Sequence, residues 1–203
     1  MRKIHALFVR DWNGPHKGLV TREINPECRW VVDGEGTATR KRDGTACAVI
    51  NGKLYRRHDC KKGSKWAKHP PADWIACQDA DPVTGHWPHW APVGDGPEDR
   101  YYRAAWAEYL SLCGNPPPDS TWELCGPHFQ TNPEHLPREV FYLHGSETLP
   151  DVPLTFDGLS AYLTTHAIEG IVWHHADGRM AKIKARDFGV PWPAPAAPEK
   201  ETP

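Results

Sequence analysis

The sequence predicts an α+β fold with antiparallel β-sheets and flanking helices. Three observations carry this. Two pairs of β-prone runs are closed by tight turns, at 45–57 and 169–185. Only two segments, 98–112 and 157–165, carry a helical pattern. Strands and helices do not alternate as βαβ units, which disfavours a parallel sheet.

In chain order, 5–9 and 29–32 read as short strands broken by Asn13-Gly14-Pro15. The run 45–50, then Asn51-Gly52, then 53–57 is a hairpin, because Asn-Gly tolerates the positive φ angles of a type I′ turn. Residues 58–71 are basic and polar and read as loop, 73–78 as a strand, and the Pro/Gly/Asp/His-rich 79–97 as a second loop. Apolar residues at 102, 105, 106, 109, 110 and 112 form a helical stripe, stopped by Gly114-Asn115-Pro116-Pro117-Pro118. Residues 120–125 and 140–143 read as strands, and 157–165 as a short helix capped by Thr155 or Asp157. The second hairpin spans 169–174 and 180–185 around Asp177-Gly178. Residues 1–193 are expected to form a single domain and 194–203 a proline-rich, disordered tail.

Composition excludes several classes. The 203 residues are 39% hydrophobic and 25% charged, with a formal net charge of −2. No apolar run is long enough to span a membrane, and the N-terminus does not read as a secretory signal, so a cytoplasmic protein is expected. The cysteines at 28, 47, 60, 77, 113 and 125 lack zinc-knuckle spacing and read mostly as small core residues. Charge is uneven: Lys53, Arg56, Arg57, Lys61, Lys62, Lys65 and Lys68 stand against Asp59 alone, and a second basic run is Arg179, Lys182, Lys184 and Arg186. Such patches can hold phosphates although the whole chain is nearly neutral.

The chemistry-bearing residues begin with Lys41-Arg42-Asp43-Gly44, a K-x-D-G tetrapeptide just before the first hairpin. A lysine there can act as a covalent nucleophile if burial or nearby positive charge depresses its pKa. Strand alternation puts Lys182 and Lys184 on one face, where they repel unless an anion or water lies between them, and a triphosphate would satisfy them. The same rule places Glu169 with Ile171 and Trp173. Glu123 sits inside an otherwise apolar strand and must be exposed or paired. Asp43, Glu123 and Glu169 are the candidate oxygen ligands for a divalent metal, directly or through water.

Taken in order, Lys41-Arg42-Asp43-Gly44, Glu123, Glu169-Gly170-Ile171-Val172-Trp173 and Lys182-Ile183-Lys184 resemble motifs I, III, IV and V of the covalent nucleotidyltransferases, the polynucleotide ligases and mRNA capping enzymes. Within that superfamily the chain is most similar to the small 5′–3′ RNA ligases of the vertebrate RNA ligase 1 family, through 39–45, 122–127, Asn132-Pro133, His144-Gly145 and above all 168–193. The resemblance covers roughly residues 30–193. It implies a nucleotidyltransferase (ligase adenylation domain, ATP-grasp-like) fold and an ATP-dependent RNA ligase using Mg2+ or Mn2+, of a kind suited to RNA repair. Lys41 would carry AMP, pass it to a 5′-phosphate RNA end, and a 3′-hydroxyl would then displace it. Thr39, Arg40, Arg56, Glu123, Glu169, Lys182 and Lys184 would contact the nucleotide, with Phe141 or Tyr142 stacking on the base. Arg57, Lys61, Lys62 and Lys65 would form an RNA track through phosphate contacts. Arg40 departs from the pattern, standing where such ligases commonly carry Glu. The rival readings are a DNA ligase or a GTP-using capping guanylyltransferase with the same covalent chemistry, and a non-catalytic nucleic-acid-binding module.

Overall fold

A computed structural model describes residues 4–193. In chain order its elements are β1 (His5–Ala6), β2 (Phe8–Arg10), β3 (Val20–Ile24), α1 (Arg29–Val32), β4 (Thr37–Lys41), β5 (Thr45–Ile50), β6 (Lys53–Cys60) and α2 (Lys65–Lys68). There follow β7 (Ile75–Ala76), β8 (Trp87–Pro92), α3 (Arg100–Cys113), β9 (Ser120–Cys125), β10 (Val140–Leu143), α4 (Phe156–Thr165), β11 (Gly170–His174) and β12 (Met180–Lys184). The chain divides into two compact units: a discontinuous one, 4–42 with 145–193, and an inserted one, 43–144. The architecture is α+β with antiparallel sheets and few helices. Among the described residues no helix is long and apolar enough to cross a membrane. The tail expected at 194–203 lies outside the described residues.

The discontinuous unit is built on a four-stranded sheet in the order β1-β12-β11-β4, with a small β2-β3 pair. Both neighbours of β11 are antiparallel, while β1 runs parallel to β12. Cross-strand partners share a face. Ile171 opposes Ile183 and Trp173 opposes Ala181, and all four are buried in a core with Leu7, Phe8, Trp30, Val31, Leu159 and Leu163. The other face carries Lys41, Gly170 and Lys184 in one row and Thr39, Val172 and Lys182 in the next. The helix α4 starts at Thr155, whose hydroxyl accepts the Gly158 N–H as an N-cap.

The inserted unit is a six-stranded antiparallel sheet, β10-β9-β5-β6-β8-β7. Asn51 (φ 50°) and Gly52 (φ 72°) turn β5 into β6, as the Asn-Gly signal requires. One face packs Cys47, Val49, Leu54 and Leu124 against Ala105, Tyr101, Tyr102 and Trp106 of α3. Cys28, Cys47, Cys60 and Cys125 are buried, as small core residues should be.

Five local expectations are corrected. Residues 29–32 form α1, not a strand: Asn25 caps a 3-10 turn, Pro26–Cys28, through the Glu27 N–H, and α1 continues directly from that turn despite the β-branched Val31 and Val32. Within 58–71, expected as loop, β6 runs on to Cys60 and Lys65–Lys68 form a helical turn. The 73–78 strand shrinks to Ile75–Ala76. Trp87–Pro92, inside the second expected loop, is a strand paired with β6 from Tyr55 to Cys60. Its prolines and histidines hid a run that long-range pairing makes regular. Lys41, expected only to precede the first hairpin, ends a strand of its own, β4.

The end of β12 is tied down by a buried acid. Asp187 is fully buried, accepts the Lys184 N–H at 3.0 Å and pairs with Arg10 Nη2 at 2.5 Å. Replacing Asp187 by Ala should destabilise the fold by about 3 kcal/mol, because a partly buried arginine and a backbone N–H lose their acceptor. Urea unfolding of the variant beside wild type measures this. Gly170 is equally constrained: a Cβ there would lie 2.2 Å from the Ile183 carbonyl oxygen and 2.9 Å from Lys184 Cα. Gly170→Ala must push β11 and β12 apart, at a cost of about 1–3 kcal/mol, readable as a lower thermal midpoint.

Candidate functional site

The lysine face of the discontinuous unit gathers Lys41, Lys182 and Lys184 on one side of the sheet. Lys41, the last residue of β4, stands in register with Gly170, and Gly170 with Lys184. The missing side chain at Gly170 leaves the space between the two lysines to Glu169. Lys41 Nζ lies 2.5 Å from Glu169 Oε2, and Lys184 Nζ lies 2.6 Å from Oε1. Arg186 Nη2 adds a third cation at 3.7 Å. Glu169 itself is fully buried. Alternation placed it with Ile171 and Trp173, but β11 begins at Gly170, so its carboxylate is free of the strand period and reaches the lysines of the other face.

A buried carboxylate is costly unless paired, and here each oxygen has its own lysine. Burial pushes the Glu169 carboxyl up, but Lys41 and Lys184 pull it further down by charge and hydrogen bond, so it stays ionised. Lys182 faces the opposite balance. Burial first, then repulsion from Lys184 and Lys41, lowers its ammonium to about 8, against the weaker pull of Glu169 and Asp187. The face therefore holds three lysines against one carboxylate and is short of negative charge, as a phosphate-binding surface should be.

The residues beside Lys41 are anchored away from this face. Arg40 opposes Ile171 and so points to the other side of the sheet from Lys41. Its Nη1 lies 3.4 Å from Glu147 Oε1, while Arg42 Nε and Nη2 lie 3.1 and 2.7 Å from Glu147 Oε2. Thr39 is buried, and its hydroxyl donates to the Val172 carbonyl at 3.0 Å. Sequence reading missed Glu147, which belongs to no motif.

In the inserted unit, Glu123 on β9 accepts the Gly44 N–H at 3.1 Å, and Asp43 N donates to Glu134 Oε1 at 3.2 Å. The strand glutamate is thus hydrogen-bonded to the end of the K-x-D-G tetrapeptide. Gly44 permits this closeness, since a Cβ there would lie 2.3 Å from the Leu124 carbonyl oxygen. The second Glu123 oxygen lies 2.9 Å from His144 Nε2, and His144 Nδ1 lies 3.0 Å from Thr121 Oγ1. A carboxylate only accepts, so Nε2 carries a proton and donates to Glu123. His144 was noted only as part of a matched stretch; its contact with Glu123 needed the tertiary structure.

Arg56 and Phe141 lie on the helix-covered face of this sheet, opposite Glu123. Arg56 opposes Cys47 and is held by buried Asp99 at 2.6 Å. Phe141 opposes Leu124 and packs edge-on against Trp106, Tyr109 and Trp122. Tyr142, its alternative, shares the face of Glu123. Among the basic candidates, Arg57 pairs with Asp59 at 3.0 Å, while Lys61, Lys62 and Lys65 are exposed, with Lys65 Nζ 4.2 Å from the Trp66 ring. No three His, Cys, Asp or Glu residues among those described converge to hold a metal ion.

The lowered Lys182 gives the face a pH signature. Below about 8 Lys182 is a cation; above it, anion binding must first take up a proton. Affinity for inorganic pyrophosphate should therefore fall as pH rises through 8, by up to about tenfold per unit, and Lys182→Met should flatten that dependence. Calorimetric titration from pH 7 to 9.5 reads it; an unchanged slope in the variant would remove Lys182 from the anion site.

Comparison with known proteins agrees with the motifs. Residues 117–203 match the family model of RNA ligase 1, a stretch that includes Glu123, Glu169, Lys182 and Lys184. The chain is 26% identical to RNA ligase 1 of Mus musculus over 96% of its own length and 82% of that protein, and shows the same likeness to RNA ligase 1 of Rattus norvegicus. RNA ligase 1 of Pongo abelii is 25% identical over 63% of this chain and 51% of that protein. By family model over residues 117–203 and by likeness over most of its length, the chain is similar to RNA ligase 1.

Proposed function

We propose that this chain is an ATP-dependent RNA ligase with a nucleotidyltransferase fold, joining a 5′-phosphate RNA end to a 3′-hydroxyl end through AMP carried on Lys41. The observation that carries this reading is the lysine face: Lys41 Nζ is held on buried Glu169, Lys184 shares that carboxylate, and Lys182 stands one row away. Choice of ATP over GTP rests on the family likeness.

The steps follow from what these residues can do. Lys41 Nζ attacks the α-phosphorus of ATP, a P–N bond forms, and the P–O bond to pyrophosphate breaks. The Nζ proton has Glu169 Oε2 as its nearest carboxylate acceptor. Lys182 and Lys184 offset the charge that gathers on the phosphate oxygens and orient the departing pyrophosphate. A 5′-phosphate oxygen of the RNA then attacks the same phosphorus, and the P–N bond breaks to return Lys41. In the last step a 3′-hydroxyl attacks the RNA 5′-phosphorus, and AMP leaves as the phosphodiester forms. Glu123, bonded to His144, would accept ribose hydroxyls. Lys61, Lys62 and Lys65, with Arg57, would contact RNA phosphates.

A divalent cation, Mg2+ or Mn2+, fits this chain better through water than by direct ligation. Both Glu169 oxygens are engaged by lysines, and those of Glu123 by His144 and the Gly44 N–H. Glu169 in the discontinuous unit, and Asp43 and Glu123 in the inserted one, are each candidates to orient waters of such an ion. When bound, the ion would supply charge neutralisation at the phosphate oxygens.

The test is covalent labelling. With α-labelled ATP and Mg2+ or Mn2+, the protein should acquire an acid-labile label that is absent from Lys41→Ala and is discharged by 5′-phosphorylated RNA. Labelling by GTP and not ATP would replace the ligase reading with a guanylyltransferase. No label from either nucleotide would overturn the covalent mechanism and leave nucleic-acid binding alone.

A further inference from the structure

We infer that Glu147 is a positioning residue for Lys41, acting through the two arginines that flank it; the inference rests on Lys41 being the nucleophile. Three observations link this residue to Lys41. Its carboxylate takes Arg40 on one oxygen and Arg42, through both Nε and Nη2, on the other. Its backbone carbonyl accepts the Arg40 N–H at 2.9 Å, Leu149 N donates to the Ala38 carbonyl at 2.9 Å, and Thr148 forms a bridge with Thr39. Residues 147–149 thus run as a short extra strand along β4. Third, Lys41 Nζ donates to the Arg42 carbonyl at 3.2 Å, besides its bond to Glu169.

The geometry makes this more than a surface ion pair. Arg40 and Arg42 point away from the lysine face, so pinning both to one carboxylate fixes the peptide on either side of Lys41. Arg42 is also the last residue of the discontinuous unit before the chain leaves it, and Gly145 the first on its return. Lys41 is the last β4 residue in register with β11, so Arg42 and its carbonyl lie beyond that pairing and are held through the Glu147 carboxylate. Exposed ion pairs are worth little singly, but here two Arg42 nitrogens share one oxygen while Arg40 takes the other, and the arginines are only 21% and 15% exposed against 42% for Glu147. Its effect is on placement. The Arg42 carbonyl is among the acceptors that hold the amine, and a shift of about 1 Å in a reacting group can cost on the order of a hundredfold in rate. The arginine at position 40, where related ligases commonly carry Glu, is then a structural anchor with its partner at 147.

The experiment uses the full chain with Glu147→Ala and Glu147→Gln, and two readouts. In single-turnover labelling by α-labelled ATP, Glu147→Ala should slow label formation at saturating ATP roughly tenfold or more, with half-saturating ATP unchanged within about twofold. Glu147→Gln, which keeps one acceptor oxygen, should fall between Ala and wild type. Without nucleotide, acylation of Lys41 by an amine-directed reagent, measured against exposed Lys53, should rise several-fold in Glu147→Ala as the amine leaves its acceptors. Wild-type labelling rates in both variants, or a change in half-saturation alone, would overturn the inference. If Glu147→Ala does not fold, Glu147→Gln decides. If wild type takes no label, the ligase reading fails, and the acylation ratio alone tests whether Glu147 holds Lys41.

Discussion

The buried Glu169 carboxylate between Lys41 and Lys184 is the interaction on which the lysine face depends. Three lysines on adjoining strands repel one another, and without an anion beneath them they would splay into solvent. Glu169 supplies that anion from inside the protein and gives each direct neighbour its own oxygen. Its burial is costly alone, yet the two short ion pairs keep it ionised. The face remains short of negative charge after this pairing, which leaves room for an incoming phosphate.

Support for the carboxylate comes from the backbone. Gly170 lets β11 pass so close to β12 that Glu169 and Lys184 meet, since any side chain there would strike the Ile183 carbonyl. Asp187 caps the end of β12 by bonding the Lys184 N–H and drawing in Arg10. The apolar side of the sheet, with Ile171, Trp173, Ala181 and Ile183 buried, sets the register that puts both β12 lysines on the opposite side. A one-residue slip would bury the lysines and expose the core, so hydrophobic burial fixes the placement of the charges.

The inserted unit is organised on the same principle with other groups. Glu123 touches the Gly44 N–H and is steadied by His144, which is itself bonded to Thr121. A glycine again allows the approach. In both units a glutamate in or beside a strand is held by named partners, and its orientation is set before any ligand arrives.

The sequence by itself determined the strands at 120–125 and 140–143, the two hairpins and the α3 stripe, because these signals are local: alternation, Asn-Gly turns and helical periodicity. It also singled out Lys41, Glu123, Glu169, Lys182 and Lys184, since short motifs in a fixed order survive in one dimension. Only the tertiary structure decided the rest. The strand at Trp87–Pro92 exists through pairing with β6, and α1 continues a capped 3-10 turn at Pro26–Cys28 despite its two valines. Which candidates share a face depended on register: it turned Arg40, Arg56 and Phe141 away from Lys41 or Glu123 and put Tyr142 beside Glu123. Glu147 and the His144 contact lie far along the chain from what they hold, with no motif to mark the pairing. Long-range ion pairs leave no local trace, because a carboxylate 105 residues from its arginine reads as any other surface acid until the fold brings them together.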